Sequence, residues 1–167
     1  NPFDWDFDKV KEDAKTEWND LLSTLEVETK SDVLKKKFYT NMYRAYAGRT
    51  TWSDVNGKYI DMYEKEQTMP DGRPIYGSDG FWIAFWNLNP LWQIATPNIT
   101  SNWVNSFLEI SDKGGWLPKG PTGIEYSAIM VASHQNALIT GAYQMGIRDY
   151  DVEKAYNALK KIQSENG

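Results

Sequence analysis

The chain contains no cysteine and a single histidine, His134. Disulfide scaffolds, thiolate zinc sites and cysteine nucleophiles are thereby excluded, as is any site built from two imidazoles of this chain. Basic residues are not in excess: 18 Lys and Arg stand against 23 Asp and Glu, for a net charge of −5. A general nucleic-acid binder needs cationic surface to displace counterions from phosphate, and this balance argues against one. No apolar run approaches the ~18 residues of a membrane-spanning helix. The N-terminus lacks a signal-peptide pattern, as a mature or truncated chain would. Neither a GxGxxG fingerprint nor a Walker-type phosphate loop occurs.

Aromatic side chains, by contrast, are abundant. With 8 Trp and 10 Tyr, aromatics reach 14% of the 167 residues. A core can absorb them, since a chain of this length buries roughly 70% of its unfolded surface. Trp and Tyr also offer flat apolar faces with polar edges, which suit sugar rings. The length fits one domain or part of a larger one.

Helical periodicity dominates the pattern. Val10, Ala14, Trp18, Leu21, Leu22 and Leu25 predict a first helix over about 8–25, capped by Asp6 or Asp8. Ser31 caps a second, with Leu34, Phe38, Met42 and Ala45 on one face and Gly48 as its stop. Lys35, Lys36 and Lys37 form its solvated side. Residues 49–80 hold turn signals (Asn56-Gly57, Pro70-Asp71-Gly72) and scattered apolar residues, so a long irregular loop with a short hairpin is expected. The apolar run from Asp79 to Thr96 predicts a buried helix kinked or started at Pro90. Further helices are expected at 100–112, at 126–145 with a stop at Gly146, and after Asp149 or Asp151. About six helices and no confident sheet give an all-α fold.

Several residues could carry chemistry. Glu125 precedes an almost uncharged stretch up to Arg148. A carboxyl group in apolar surroundings is held protonated, as a general acid requires. Capping of the following helix is the plainer role for it. Asp79 reads as an N-cap, or as an acceptor for sugar hydroxyls beside Trp82 and Trp86. Asp54, Asn56 and Asp71 have adequate explanations as turn residues. The segment from Asp54 lacks the downstream bidentate Glu of an EF-hand. His134, inside the predicted fifth helix, reads first as a structural hydrogen-bonder.

Four stretches, in order and spacing, resemble glycoside hydrolase family 92, the calcium-dependent exo-α-mannosidases. They are Phe38-Tyr39-Thr40 with Met42-Tyr43-Arg44, Ser53 to Tyr59, Gly114-Gly115-Trp116-Leu117-Pro118-Lys119, and Gly146 to Asp151 followed by Ala155-Tyr156. The resemblance implies an (α/α)6 catalytic barrel, of which residues 1–167 would be a single incomplete segment, and hydrolysis of terminal α-linked mannose with inversion. Inversion needs an acid on one side of the sugar and a base activating water on the other, with carboxyls roughly 6.5–9.5 Å apart. By the resemblance Glu125 is the acid, and the base lies in a downstream Asp-rich segment that this chain does not contain. Trp82, Trp86 and Trp116 would wall the pocket, while Asp79, Lys119 and His134 would contact hydroxyls. Calcium is implied, with ligands mostly outside this chain, as are an extracytoplasmic location, a glycan substrate and the remainder of the catalytic domain as partner.

The chain also departs from the family. Where family members carry Trp-Asp-Thr-Phe-Arg, it has Trp82-Ile83-Ala84-Phe85-Trp86, without the acid or the guanidinium. A competing expectation is therefore a non-catalytic helical carbohydrate-binding protein derived from the same barrel. A third is an interaction domain whose Trp residues are all core. A part-barrel would leave a large apolar patch uncovered, with the run at 79–96 most affected.

Overall fold

The computed structural model describes residues 4–78, 81–82, 84–119, 121–122, 125–126 and 132–165. The chain divides into two compact units, Asn1–Ala47 and Gly48–Gly167.

The first unit is a pair of helices. Helix α1 (Phe7–Leu22) starts at Asp6, whose carboxylate accepts from Lys9 N–H at 3.1 Å. Helix α2 (Asp32–Ala47) starts after Ser31, whose hydroxyl accepts from Leu34 N–H at 3.4 Å. Both caps satisfy amides that the first helical turn cannot pair internally. Trp18 and Tyr43 join the helices, their ring centroids 4.5 Å apart.

The second unit opens with the expected long loop, and two ladders organise it. Strand β1 (Arg49–Thr51) pairs antiparallel with β4 (Tyr76–Ser78), with Thr50 opposite Gly77. Between them, β2 (Lys58–Ile60) pairs with β3 (Glu66–Thr68), with Tyr59 opposite Gln67. Tyr59, Met69 and Ile75 form a small buried cluster beneath this loop. The Asn56-Gly57 turn closes through Gly57 N–H to Asp54 C=O at 2.9 Å, with Gly57 at φ +79°, where only glycine is free of strain.

Four helices follow: α3 (Leu88–Ala95), α4 (Pro97–Gly114), α5 (His134–Gln144) and α6 (Val152–Ser164). The core of this unit is aromatic. Phe81 meets Trp92, Trp103 and Phe107 edge to face at centroid distances of 6.3, 5.9 and 5.1 Å. Trp92 and Trp103 lie 4.5 Å apart. All four rings are buried, in the edge-on geometry that the quadrupoles of aromatic rings favour. Helix α5 ends in a Schellman motif: Ile147 N–H reaches Ala142 C=O at 2.9 Å and Gly146 N–H reaches Tyr143 C=O at 3.1 Å. Asp151 caps α6 by accepting from Lys154 N–H at 2.9 Å.

Two expected helices differ in extent. The run at 79–96 is not one buried helix: Ala84–Trp86 form a 3-10 turn, α3 begins at Leu88, and Pro90 falls in its first turn. Trp82, Phe85 and Trp86 all face solvent. The helix expected from 126 begins instead at His134. Before it, β5 (Pro121–Thr122) and β6 (Glu125–Tyr126) pair antiparallel, with Thr122 opposite Glu125. Pro118 and Pro121, with Gly120 and Gly123, favour turns over an early helix start. The fold remains all-α in character, with six α-helices among the described residues.

Candidate functional site

The 3-10 turn and α3 bring the aromatic run against the start of α5. The Trp82 and Phe85 rings lie nearly parallel to the imidazole of His134, at 16° and 11°, with centroids 6.4 and 6.0 Å away. Phe85 in turn meets Trp86 edge-on at 6.0 Å. Trp82, Phe85 and Trp86 are 58%, 42% and 74% exposed, so two exposed rings stack on the half-buried imidazole and a third extends the aromatic surface from Phe85. Flat exposed faces beside a hydrogen-bonding group are what a sugar ring packs against.

Local backbone sets up this arrangement. Ala132 holds φ +71°, a left-handed conformation uncommon for a residue with a Cβ. It turns the chain into α5, and His134 becomes the first residue of that helix. Ser133 precedes it without a side-chain cap. Helices α3 and α5 approach closely at Gly141, where a Cβ would fall 2.7 Å from the Gln93 amide nitrogen. That amide donates to Leu138 C=O at 3.4 Å. Close approach of the two helices holds the aromatic turn and the start of α5 side by side.

The Gly-Trp-Leu-Pro-Lys segment has a structural logic of its own. Gly115, at φ +84°, ends α4, and its N–H reaches Ser111 C=O at 2.7 Å. Lys161 of α6 donates to Gly115 C=O at 2.8 Å and places its ammonium 4.4 Å from the Trp116 ring centre. Leu117 and Pro118 are buried anchors, and Lys119 emerges half-buried beyond them.

The structure thus brings together Trp82, Trp86 and His134 of the residues singled out from sequence. Trp116 is set against α6 instead. Asp79 lies outside the described residues. For Glu125 the strand placement of its backbone is described and its side chain is not. Sequence reasoning did not anticipate that Phe85 would stack on His134. It also missed the buried amides of Asn89 and Gln135, whose oxygen and nitrogen atoms have no hydrogen-bond partner among the described residues.

Electrostatics elsewhere are marked at three groups. Desolvation raises the Tyr59 phenol above its ordinary range, and the hydrogen bond it donates to Glu109 Oε1 at 2.8 Å, with nearby acidic charges, raises it further. Burial likewise raises Tyr150. At Asp61 burial works upward, but hydrogen bonds from Lys65 N–H, Gln67 Nε2 and Tyr63 N–H outweigh it and hold the carboxyl below its usual range. Among the described residues, no group of three or more His, Asp or Glu side chains could hold a metal ion.

The sequence profile of the glycosyl hydrolase family 92 catalytic domain matches residues 1–167, the whole chain. The chain belongs to glycosyl hydrolase family 92. A curated relative, an uncharacterized secreted glycosidase of Arthroderma benhamiae, is 24% identical over 160 residues, which is 94% of this chain and 16% of that protein. Among solved structures, a family GH92 α-mannosidase of Bacteroides thetaiotaomicron superposes with a TM-score of 0.90 at 19% identity, covering 99% of this chain and 22% of that one. A family GH92 inverting mannosidase of the same organism gives 0.81 at 23% identity, covering 98% and 22%. These likenesses establish the fold. The family 92 segment described here spans about a fifth of the length of the relatives it matches. No helix among its described residues is long and apolar enough to cross a membrane.

Proposed function

We propose that the protein containing this chain is an extracytoplasmic glycosidase that hydrolyses terminal α-linked mannose or a related sugar with inversion. One observation carries the reading: Trp82 and Phe85 stacked on His134, with Trp86 beside Phe85, form an exposed aromatic cluster in a chain matched end to end by a glycosidase catalytic family. The aromatic faces would pack the sugar ring, and His134, Asp79 and Lys119 would meet its hydroxyls. Trp116 would contribute from the α4–β5 connection. Glu125 would protonate the departing glycosidic oxygen, and a carboxylate in the remainder of the catalytic domain would draw the proton from the attacking water. Calcium, where the enzyme uses it, would be held by residues outside this chain.

The decisive experiment is Glu125→Gln in the complete enzyme, assayed on α-mannosides. Turnover should fall at least about 10²- to 10⁴-fold while thermal stability stays unchanged. Near-wild-type turnover would remove Glu125 from the acid role. Trp82→Ala should weaken sugar binding about tenfold with little effect on folding, because an exposed ring contributes packing to the ligand and little to the core.

A second reading, a non-catalytic carbohydrate binder, draws support from Ile83 and Trp86, which stand where family members carry an acid and a guanidinium. Calorimetric titration with mannose and mannobiose separates the two. A binder retains the disaccharide intact, whereas a hydrolase releases mannose.

A further inference from the structure

Helix α6 grips the end of α4 through two lysines, Lys154 and Lys161, which stand two turns apart on one of its faces. Lys154 bonds the Asp112 carboxylate. Lys161 reaches past the last residue of α4. Its ammonium donates to the Gly115 C=O at 2.8 Å and lies 4.4 Å from the centre of the Trp116 ring. The carboxyl end of a helix leaves carbonyls unpaired and carries partial negative charge, so a cation is favoured there. The face of an indole favours it too. One ammonium thereby fixes the backbone at Gly115 and the side chain at Trp116. With them it fixes the direction in which the chain leaves α4.

That direction matters downstream. Leu117 and Pro118 are buried and lead the connection toward β5. Strand β5 pairs with β6, with Thr122 opposite Glu125. Each strand is only 2 residues long, and so short a ladder cannot hold its own position in water. Its placement is inherited from the anchored connection. We propose that Lys161 is a positioning residue for the hydrolysis: acting through Gly115 and Trp116, it sets the β5–β6 ladder and so the place from which Glu125 delivers its proton. The proposal rests on the reading of Glu125 as the acid. As the bond from the anomeric carbon to the glycosidic oxygen breaks, that oxygen takes the Glu125 proton. Water adds to the carbon and gives its own proton to the base. Delivery by the acid is needed when the departing oxygen is strongly basic, and dispensable when it leaves as a stable phenolate.

The test compares two substrates of the complete enzyme, mannobiose and 2,4-dinitrophenyl α-mannoside. Lys161→Met keeps most of the aliphatic stem and removes the charge and the donor. Its kcat on mannobiose should fall about 10- to 100-fold, because a misplacement of about 1 Å costs on that order. Its KM for mannobiose, and its kcat on the dinitrophenyl substrate, should stay within about twofold of wild type. Lys161→Arg keeps a cation with several donors and should recover part of the mannobiose turnover. Equal losses on both substrates would make Lys161 a general structural prop, and no loss on mannobiose would remove it from the reaction; either result overturns the proposal. Glu125→Gln serves as the reference, with the same contrast between substrates in stronger form. If Glu125→Gln shows that contrast and Lys161→Met does not, the positioning role fails while the acid assignment stands. If Glu125→Gln lacks it, the acid assignment fails and the positioning role falls with it.

Discussion

Gln135 and Asn89 are 0% and 2% exposed, and neither amide finds a hydrogen-bond partner among the described residues. A buried amide left without a partner carries the desolvation penalty of an unpaired polar group. Replacement by an apolar side chain of similar shape removes that penalty. Gln135→Met and Asn89→Leu should each raise unfolding free energy by about 1–2 kcal/mol, measured by thermal or urea unfolding of the complete protein. A loss of stability would show that the amides find partners in the parts of the protein beyond this chain. The same positions mark the limit of reading residues from sequence. Trp82, Trp86 and His134 stand out by type, because exposed indoles and a lone imidazole have few ordinary uses. Their meeting depends on α3 lying against α5, a long-range pairing that no local spacing records.

Elements were most legible where their ends carry capping chemistry. Asp6, Ser31, Asp151 and Gly146 sit at the boundaries their chemistry requires. The start of α5 was misread because Ala, Ser and Gly suit a helix and a tight turn alike, and strands as short as β5 and β6 have no period to detect. What ties the elements together is polar and non-local. The Arg73 guanidinium bonds Asp71 Oδ2 at 2.6 Å, Asp149 Oδ2 at 2.9 Å and Ser101 Oγ at 3.2 Å. Ser101 Oγ and Asn105 Nδ2 also donate to the Asp149 carbonyl, at 2.8 and 3.0 Å. One arginine thus fastens the β1–β4 loop and α4 to the turn between α5 and α6. Arg73→Ala should cost about 1–3 kcal/mol, a figure kept low because both acidic partners are substantially exposed. Arg73→Lys should recover less than half, since an ammonium cannot reproduce a planar fork reaching several acceptors. Full recovery in urea unfolding would reduce the clamp to simple charge attraction.

At the scale of the whole molecule, buried titratable groups fix the limits of pH stability. Asp61 is held below its ordinary range when folded. Its contribution is therefore present above about pH 4, the unfolded value, and is lost as pH falls through the folded one. Tyr59 has the opposite sign, because its phenol is raised when folded. Its contribution is complete below about pH 10 and is lost progressively as pH rises above that. Tyr150 adds to the same alkaline limb. Stability should therefore form a plateau between these limits, with the two ends set by different residues of one unit. Tyr59→Phe should lower the plateau by about 1 kcal/mol, through loss of the hydrogen bond to Glu109. It should also flatten the fall above pH 10 while leaving the acid limb untouched. Unfolding free energies measured from pH 3 to 11 decide the matter. A variant that runs parallel to the wild type at every pH would mean that Tyr59 ionises as easily in the folded protein as in the unfolded chain. The buried Tyr59–Glu109 pair would then have no part in the alkaline limit.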